Sequence, residues 1–448
     1  MGNREWTRRW ITLCTIPYFL FPISPADAAD LLEIYRLAQS ADTQYAAARA
    51  TWAANQEKLP QGLSGLLPSA SVGVTVQNSE RDTRSATTGT VVPGRSSSTA
   101  SASVNQPIYR PQRYAAYEQA KTQVAQADAV LAQAAQDLIL RVAQAYFDVL
   151  LAQDTVAFAQ AQLTAIGQQL EQAKRNFEVG TATITDTHEA QSRYDITTST
   201  EIAARNDLEI RKRQLELLIG RATPGLSPLG KRFTLRQPEP DSMERRSADA
   251  LENNLQVRIN REGLTFASQE IERNRAGHRP TIDAFATYSD QNTNSSSVGL
   301  PGLGTDNNRV VGVQLAVPIY QGGFTSSLVR EAVANEDRAR QDLDNARRTA
   351  ELTARQTYLG VTSGIAQVKA LEAALVSSQS SLDSTRLGQE VGVRTQIDVL
   401  NAQQQLSQTR RDLAQAKYNY IFALLRLRSS AGRLTEHDLA LVNDWLDR

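Results

Sequence analysis

Long stretches of the chain place apolar residues at the spacing of an α-helix, and four short stretches alternate apolar and polar residues as strands do. Residues 112–177 and 325–387 contain no proline, and each predicts one uninterrupted helix. The segments 186–219 and 396–429 predict a second helix after each of them. At about 1.5 Å per residue the longer helices would measure roughly 100 Å. No compact globular domain requires helices of that length.

The alternating stretches predict two β-hairpins, over residues 69–109 and 281–320, each with a long polar loop between its strands. One helix is expected before each hairpin, over residues 30–62 and 243–277. We expect one face of the paired strands to be apolar. Its predicted members are Val72, Val74, Val76, Phe285, Val311, Val313, Leu315 and Val317.

The second half of the chain repeats the first with an offset of 212 residues. Asp186 corresponds to Asp398 at this offset, and many other landmarks coincide in the same way. The register slips by one residue only where Pro107 corresponds to Pro318. A repeat of this length predicts two copies of one structural unit that pack side by side or about a common axis.

The repeat divides the chain into two copies with short segments around them. The first copy covers residues 30–220 and the second covers 243–432. A linker that carries proline and glycine, residues 221–242, joins them, and a short C-terminal tail follows at 433–448.

The first 28 residues predict an export signal. Three arginines precede the apolar run 11–23, and Ala26-Asp27-Ala28 offers a small-residue cleavage site. A membrane anchor is the alternative, but the run is too short to span comfortably and contains two prolines. The only cysteine, Cys14, lies inside this signal, so the mature chain needs no disulfide and no thiol chemistry.

Charge and hydropathy narrow the possible surroundings of the exported chain. The 48 Lys and Arg residues equal the 48 Asp and Glu residues, so no bulk charge attracts nucleic acid, and no nucleic-acid partner is expected. No later segment has 18 consecutive apolar residues. If the chain enters a membrane, it must therefore do so by β-strands.

Four strands cannot close a barrel, and free strand edges in lipid cost several kcal/mol for each unpaired backbone group. Membrane insertion would therefore require several chains to share one barrel. Three chains would supply twelve strands, an even number that fits a bacterial outer-membrane barrel. The strand pattern alone leaves open a soluble hairpin cap on a coiled coil, and the helix pattern alone leaves open an ordinary bundle.

The chain offers no arrangement of residues that would support catalysis. Its three histidines, His188, His278 and His437, have no carboxylate or cysteine at metal-ligand spacing. No nucleophile and base lie in a recognisable pattern, and Gly322-Gly323 is better interpreted as a turn than as a phosphate loop. We expect no enzymatic activity, no metal site and no cofactor.

Several segments resemble the signature of the TolC family of outer-membrane efflux proteins. The segments are Pro318–Gly323, Ser380–Asp383, Val391–Thr395, Ile397–Leu400 and Tyr418–Tyr420, with Val179-Gly180 and Ile184–Asp186 in the first copy. The resemblance covers about residues 30–445, and it depends on the order and spacing of these segments together. It is closest to the branch that serves type I secretion and drug efflux.

The resemblance implies an α+β membrane protein made of three identical chains. Each chain would give four strands to one twelve-stranded β-barrel in the outer membrane. The barrel would continue into a long α-helical coiled-coil tunnel in the periplasm. A periplasmic adaptor protein and an inner-membrane transporter of the ABC or RND type would dock at the end of the tunnel. The chain would then be the exit duct of an efflux pump or of a type I protein secretion system.

The resemblance also implies a closed aperture at the Val-Gly breaks, at the end of the tunnel opposite the strands. Its acidic ring corresponds to Asp398, and a second acidic position of related channels is occupied here by Asn401. Three carboxylates around a threefold axis would favour cations. One acidic ring is expected to hold a multivalent cation less firmly than two.

A latch that keeps the aperture closed is also implied. Arg394 corresponds to an arginine that reaches the Thr185-Asp186 pair of the other copy. Related channels have an aromatic residue at the position of Gln389, so we expect that contact to be weakened or remade here. Without the resemblance, Arg394 and Asp186 would be interpreted as solvated charges at helix ends, worth under about 1 kcal/mol.

The junctions between strands and helices carry proline and glycine in both copies. Pro107 and Pro318 are expected where a β-ladder ends, because a missing N–H costs little there and the ring stiffens the turn. Gly322 and Gly323 are expected to form the turn into the second long helix. A periplasmic coiled-coil adaptor or scaffold remains the rival interpretation, with an exported hydrolase a distant third. The sequence does not indicate the cargo.

Overall fold

The computed structural model describes residues 28–79, 95–238, 242–295 and 304–447. The predicted export signal, residues 1–28, lies outside the described residues except for Ala28. Parts of both polar hairpin loops also lie outside them.

The described residues form ten α-helices and four β-strands. In the first copy they are α1 (Leu31–Ala41), α2 (Thr43–Gln56), α3 (Lys58–Ser64), β1 (Ser69–Ser79), β2 (Arg95–Tyr109), α4 (Pro111–Glu178) and α5 (Ile184–Ile219). In the second copy they are α6 (Met243–Asn253), α7 (Leu255–Arg275), β3 (Thr281–Ser295), β4 (Gly304–Ala316), α8 (Phe324–Glu390) and α9 (Gln396–Ser430), and α10 (Glu436–Asn443) follows.

The helix expected before each hairpin is divided, contrary to the sequence-based expectation, and one break falls at equivalent positions in the two copies. The first copy has a further break at Glu57, between α2 and α3. Asp42 ends α1, and its side chain accepts a hydrogen bond of 2.6 Å from the backbone N–H of Tyr45 in α2. Asn254, the counterpart of Asp42 at the repeat offset, caps α7 through the backbone N–H groups of Gln256 and Val257. Asp and Asn compete with helical backbone bonds through their own side chains. Each therefore stops one helix and starts the next.

The four strands form one antiparallel sheet in the order β1-β2-β3-β4. Strand β2 of the first copy pairs with β3 of the second over nearly its whole length, so the two hairpins are joined through their inner strands. Within the chain β1 and β4 each pair on one side only. Their outer backbone N–H and C=O groups are left at the two edges of the sheet.

The register gives the sheet one largely apolar face and one polar face, although the apolar face also carries Asp290 and Arg309 toward the loops. Val74 lies opposite Ala100, and Val311 lies opposite Ala286 on the same face. On the other face Ser71 and Ser103 share a hydrogen bond of 2.8 Å between their hydroxyl groups. The apolar face also carries Val72, Val76, Ala102, Val104, Ile282, Ala284, Val313 and Leu315.

The expected position of Phe285 on the apolar face is wrong. Phe285 pairs with Gly312 and with Asn105, so its ring lies on the polar face. The ring covers Gly312, where an added Cβ would lie 3.0 Å from it. In β3 the residues that point to the apolar face alternate with Phe285 along the strand. Phe285 therefore points to the opposite face. Val317 lies beyond the end of β4 at Ala316.

The main hydrophobic core lies at the middle of the helical part, where both ends of the chain meet the long helices. It joins buried residues of α1, α4, α5, α8, α9 and α10. The described part of the linker, 221–238, crosses this core, where Ala29 bridges to Leu226 and Leu229 bridges to Leu446. The buried hydroxyl of Tyr146 donates to the carbonyl of Ser227 at 2.8 Å. The linker is therefore held against the core along much of its described length.

An ion pair joins the two copies at the junction between sheet and helices. The Arg110 guanidinium donates from Nε to Asp283 Oδ1 at 2.8 Å and from Nη2 to Oδ2 at 2.6 Å. Asp283 is only 5% exposed, and its strand partner is Pro107, just before a register shift in β2. Pro107 has no N–H to donate. Arg110 supplies the polar contact for Asp283 and ties the start of α4 to β3.

We expect Arg110→Ala to lower the free energy of unfolding by about 2 kcal/mol, because it leaves a buried carboxylate without its partner. The measurement is the temperature at which the detergent-purified protein loses its folded electrophoretic mobility. Lys121→Ala is the control, since Lys121 pairs with Glu118 where both side chains are about half exposed. The double variant Arg110→Ala/Asp283→Ala should recover part of the loss. Equal melting of the Arg110 and Lys121 variants would contradict the assigned role.

Candidate functional site

The two helical hairpins, α4–α5 and α8–α9, each turn back through five residues at the end far from the sheet. In both turns the first residue is a valine and the second is a glycine with positive φ, +78° at Gly180 and +79° at Gly392. A residue with a side chain is strained in that conformation, whereas glycine adopts it freely. Gly180 and Gly392 therefore end α4 and α8 with the same backbone conformation, as expected for two copies of one structural unit.

The same pair of backbone hydrogen bonds closes each long helix. In the first turn Thr181 N–H donates to the Asn176 carbonyl at 2.8 Å, and Gly180 N–H donates to Phe177. In the second turn Val393 N–H donates to the Gly388 carbonyl at 2.8 Å. These are the bonds of a Schellman motif, which satisfies carbonyls that a helix end leaves without partners. The two turns are thus built to one geometry.

Each returning helix begins with a capping box that contains the predicted aspartate. In α9, Asp398 Oδ2 accepts from the backbone N–H and from the hydroxyl of Thr395, both at 2.9 Å. In α5, Asp186 Oδ2 accepts from the backbone N–H of Thr183 at 2.9 Å and from its hydroxyl at 2.8 Å. A capping box satisfies donors at the helix start from both directions. Asp186 and Asp398 therefore stabilise the first turns of α5 and α9, independently of the roles predicted for them at the aperture.

These hydrogen bonds keep both carboxylates ionised. The backbone N–H of Thr395 lowers the pKa of Asp398, and the Thr395 hydroxyl and the charge of Arg394 lower it further. The backbone N–H and hydroxyl of Thr183 lower the pKa of Asp186 in the same way. Hydrogen bonds to the charged form favour that form. Asp186 and Asp398 are consequently both negatively charged at neutral pH.

Asn401 lies one helical turn after Asp398 and contacts a residue that the sequence analysis did not identify. Its Oδ1 accepts a hydrogen bond of 3.1 Å from Arg193 Nη2 of α5. Arg193 Nη1 also donates to Gln404 Oε1 at 2.9 Å. The position equivalent to Arg193 in the second copy is Gln405, so the first copy alone carries a charge at this position.

The predicted latch residues are not brought together within one chain. Arg394 folds back over the end of α8, where an added Cβ on Gly388 would lie 2.7 Å from its Cγ. No described hydrogen bond or ion pair joins Arg394 to Thr185 or Asp186 in the resolved parts of the hairpins. Gln389 donates to the side-chain oxygen of Gln396, so this contact stays within the second hairpin.

Each hairpin has its own apolar cluster near the turn. Leu170, Ala173 and Ala190 form one cluster between α4 and α5. Leu382, Val399 and Leu406 form another between α8 and α9. A cavity of about 460 Å³ lies between the hairpins, lined by residues of α4, α5 and α9. Each hairpin is thus packed internally, and the cavity lies between the two hairpins beside the Arg193 contact.

The helices α5 and α8 form the two open sides of the helical layer, as β1 and β4 do in the sheet. Exposed apolar residues follow both helices: Ile196, Ile210 and Leu217 on α5, and Leu352, Leu359 and Val376 on α8. Helix α8 is long enough, and along one stretch of 18 residues apolar enough, to cross a membrane by length and composition, and little of that stretch is buried. Elsewhere α8 carries exposed ion pairs such as Arg340–Glu336. Its apolar surface is therefore better covered by protein than by lipid.

The strand–helix junctions differ between the copies. Pro107 lies in β2 immediately before its register shift, and α4 begins four residues later. Pro318 lies two residues beyond the end of β4. Gly322 and Gly323 have φ angles of +63° and +80° and lead directly into α8. The second junction is thus a longer, irregular turn, and its extra residue restores the offset of 212 after a hairpin that is one residue shorter in the second copy.

The sequence model of the outer membrane efflux protein family matches the chain twice, over residues 34–221 and 247–433. Outer membrane protein TolC of Vibrio cholerae is 33% identical over 423 residues, covering 94% of each chain. The alkaline protease secretion protein AprF of Pseudomonas aeruginosa is 32% identical over 440 residues, covering 97% of this chain and 91% of its own.

The fold has a close match among solved structures. The CmeC outer membrane channel of Campylobacter jejuni superimposes with a TM-score of 0.78 at 15% identity, covering 100% of this chain and 98% of that chain. At this identity the likeness concerns the fold alone.

We expect Thr395→Val to weaken the first turn of α9 by about 1 kcal/mol, because the side-chain cap is lost while the charge of Asp398 remains. Amide hydrogen exchange at Asp398 and Val399, whose N–H groups donate to Thr395, should then become about fivefold faster. Thr183→Val is the matched control and should accelerate exchange only at the start of α5. Because its pKa is lowered, Asp398 should protect this turn fully above about pH 4 and lose that effect as pH falls further. Unchanged exchange in Thr395→Val would contradict the capping role.

Proposed function

The chain belongs to the outer membrane efflux protein family, and from this premise we propose that three copies form a channel through the outer membrane and the periplasm. It is an outer-membrane protein and a passive exit duct, and it is not an enzyme. The observation that supports the proposal best is the four-stranded sheet, which has one apolar face, one polar face and two unpaired edges. Such a sheet is stable in lipid only when its edges are closed.

Closure follows if β4 of one protomer pairs with β1 of the next around a threefold axis. Twelve strands then form a barrel with the apolar face toward lipid and the polar face toward the lumen. The apolar residues Val72, Val74 and Val76 on one edge strand and Val311, Val313 and Leu315 on the other supply that lipid-facing surface. The assembly is heterologous and closes as a ring, since two different edges meet at each contact.

The same arrangement covers the open helices. Helix α8 of one protomer would meet α5 of the next, and their exposed apolar residues would form the contact between subunits. The remaining helix surfaces carry many exposed ion pairs, including Arg355–Glu351 and Lys174–Glu171. These charges require water, so the helices are proposed to form the wall of a hydrated tunnel in the periplasm.

Channels of this family work with an adaptor and an inner-membrane pump. We propose that the hairpin ends are the docking surface for the adaptor, because Val179, Val391 and Val393 are each at least about two-thirds exposed there. The name of the relative AprF refers to secretion of a protease. On this basis we favour a type I protein secretion system with an ABC-type transporter, and an RND-type drug pump is the alternative.

The aperture is proposed to lie at the two hairpin turns. Three copies of Asp398 would form an acidic ring, and three copies of Asn401 would form a neutral ring one turn above it. Arg394 is proposed to reach Thr185 and Asp186 of the neighbouring protomer, since α8 and α5 are the sides that meet. Breaking these contacts would let the hairpins move outward and widen the aperture.

The direct test of the function is the conductance of the detergent-purified protein in a planar lipid bilayer. A channel protein should migrate as a heat-modifiable trimer and produce single-channel currents. A monomer that produces no current would overturn the proposal and would favour a periplasmic scaffold.

We expect Asp398→Ala to weaken the block of that current by hexamminecobalt about tenfold or more, because the acidic ring that binds the multivalent cation is removed. Asp412→Ala is the control, since Asp412 lies on the same helix more than three turns away and takes no part in a capping box. An unaltered half-blocking concentration in Asp398→Ala would exclude Asp398 as the constriction.

We expect Arg394→Ala to raise single-channel conductance, because the closed aperture loses a charged contact between protomers. Arg394→Lys should give a smaller increase, since lysine retains the charge but not the planar pair of donors. Equal conductance in all three proteins would remove Arg394 from the latch.

A further inference from the structure

We propose that Arg193 is a second, intrachain clasp, which holds the first helical hairpin against the second when the aperture is closed. The inference rests on the proposed channel function and adds a residue to its gate. Nothing in the family resemblance points to Arg193, which was identified from its contacts in the structure.

Arg193 reaches across from α5 to α9 with both terminal nitrogens. Nη1 donates to Gln404 Oε1 at 2.9 Å and Nη2 donates to Asn401 Oδ1 at 3.1 Å. The two acceptors are three residues apart and therefore lie on one face of α9. Glu189, one turn earlier on α5, lies 3.9 Å from Nη2 and orients the guanidinium. The planar fork of arginine suits two fixed acceptors of this kind.

The clasp is isolated from other contacts between the hairpins. In the described residues on the turn side of Asp154 and Tyr418, the hydrogen bonds and ion pairs that cross from one hairpin to the other are those of Arg193. The apolar clusters near the turns are separate, one in each hairpin. Arg193 and Gln404 themselves line the cavity of about 460 Å³, together with other residues of α4, α5 and α9.

The next crossing contact lies farther from the turns and is of a different kind. The Tyr418 hydroxyl donates to Asp154 Oδ2 at 2.8 Å, and the Tyr418 ring stacks on Phe147 in the main core. Tyr418 is 14 residues from Gln404 along α9, about 20 Å at the rise of a helix. Among the described hydrogen bonds and ion pairs, the hairpins are thus joined at the core and again at the clasp. Release of Arg193 would leave the core contacts in place.

The residue at position 401 makes this arrangement possible without a strong ion pair. Asn401 accepts from Arg193 as a neutral amide, so the clasp consists of two hydrogen bonds from one partly exposed cation. Glu189 lies 3.9 Å from Arg193 Nη2 and offsets much of the charge of the guanidinium. The clasp is therefore weak enough to release.

The test compares single-channel conductance of wild type, Arg193→Ala and Arg386→Ala in planar bilayers. Arg386 is the matched control, because it also donates to α9, at Gln403, but from within its own hairpin. We expect Arg193→Ala to raise conductance about twofold or more, and Arg386→Ala to behave as wild type. If Arg193→Ala does not assemble, Asn401→Ala/Gln404→Ala removes the acceptors instead and should give the same increase.

A second measurement separates the clasp from a general loosening of the helices. Asn401→Asp should lower conductance in the wild-type background, because it converts a hydrogen bond into an ion pair with Arg193. In the Arg193→Ala background the same substitution should instead strengthen block by hexamminecobalt, because the added carboxylate has no cation beside it.

Conductance of Arg193→Ala equal to that of wild type, or an Asn401→Asp effect independent of Arg193, would overturn the clasp while leaving the channel intact. Absence of any current from the wild-type protein would reject the channel, and the clasp with it.

Discussion

The unpaired edges of the sheet are the constraint on which the rest of the assembly depends. A strand edge cannot remain open in lipid, and the chain has two of them, β1 and β4. If β4 pairs with β1 of the next protomer, this pairing decides which side of each chain faces its neighbour. The open helix α8 of one protomer then lies beside the open helix α5 of the next. The inner pairing of β2 with β3, reinforced by Arg110 and Asp283, makes each chain one rigid third of this ring.

Much of the fold could be predicted from the sequence, because the same local patterns occur in both copies of the repeat. Long helices, hairpins and turns follow from local periodicity and glycine, so they were predictable from residues that act on their own neighbours. The break at Asp42 was not recognised because a single capping side chain divides an otherwise continuous pattern. Phe285 was placed on the wrong face because hydrophobicity alone does not fix the phase of a strand. Arg193 was missed because its partners lie more than 200 residues away.

Asp398 shows why a site residue in this fold cannot be assigned one role. It is the carboxylate proposed to line the aperture, and it is also the residue that starts α9 through Thr395. The cap fixes where the charge lies and keeps its pKa low. A change at this position therefore alters the geometry of the turn together with its charge. Substitution of Thr395 removes the side-chain cap but leaves the charge of Asp398, so it separates the effect of geometry from the effect of charge.

The distribution of contacts along the helices indicates which part of the molecule is able to move. At the middle, a continuous apolar core and buried tyrosines hold the chain ends, the linker and all four long helices together. Toward the turns each hairpin has its own small cluster, and the hydrogen bonds between the hairpins come from a partly exposed arginine. The proposed opening would therefore exchange a few hydrogen bonds with water and leave the main core covered. A gate that breaks polar contacts can cycle repeatedly, whereas one that opened the core would unfold the tunnel wall.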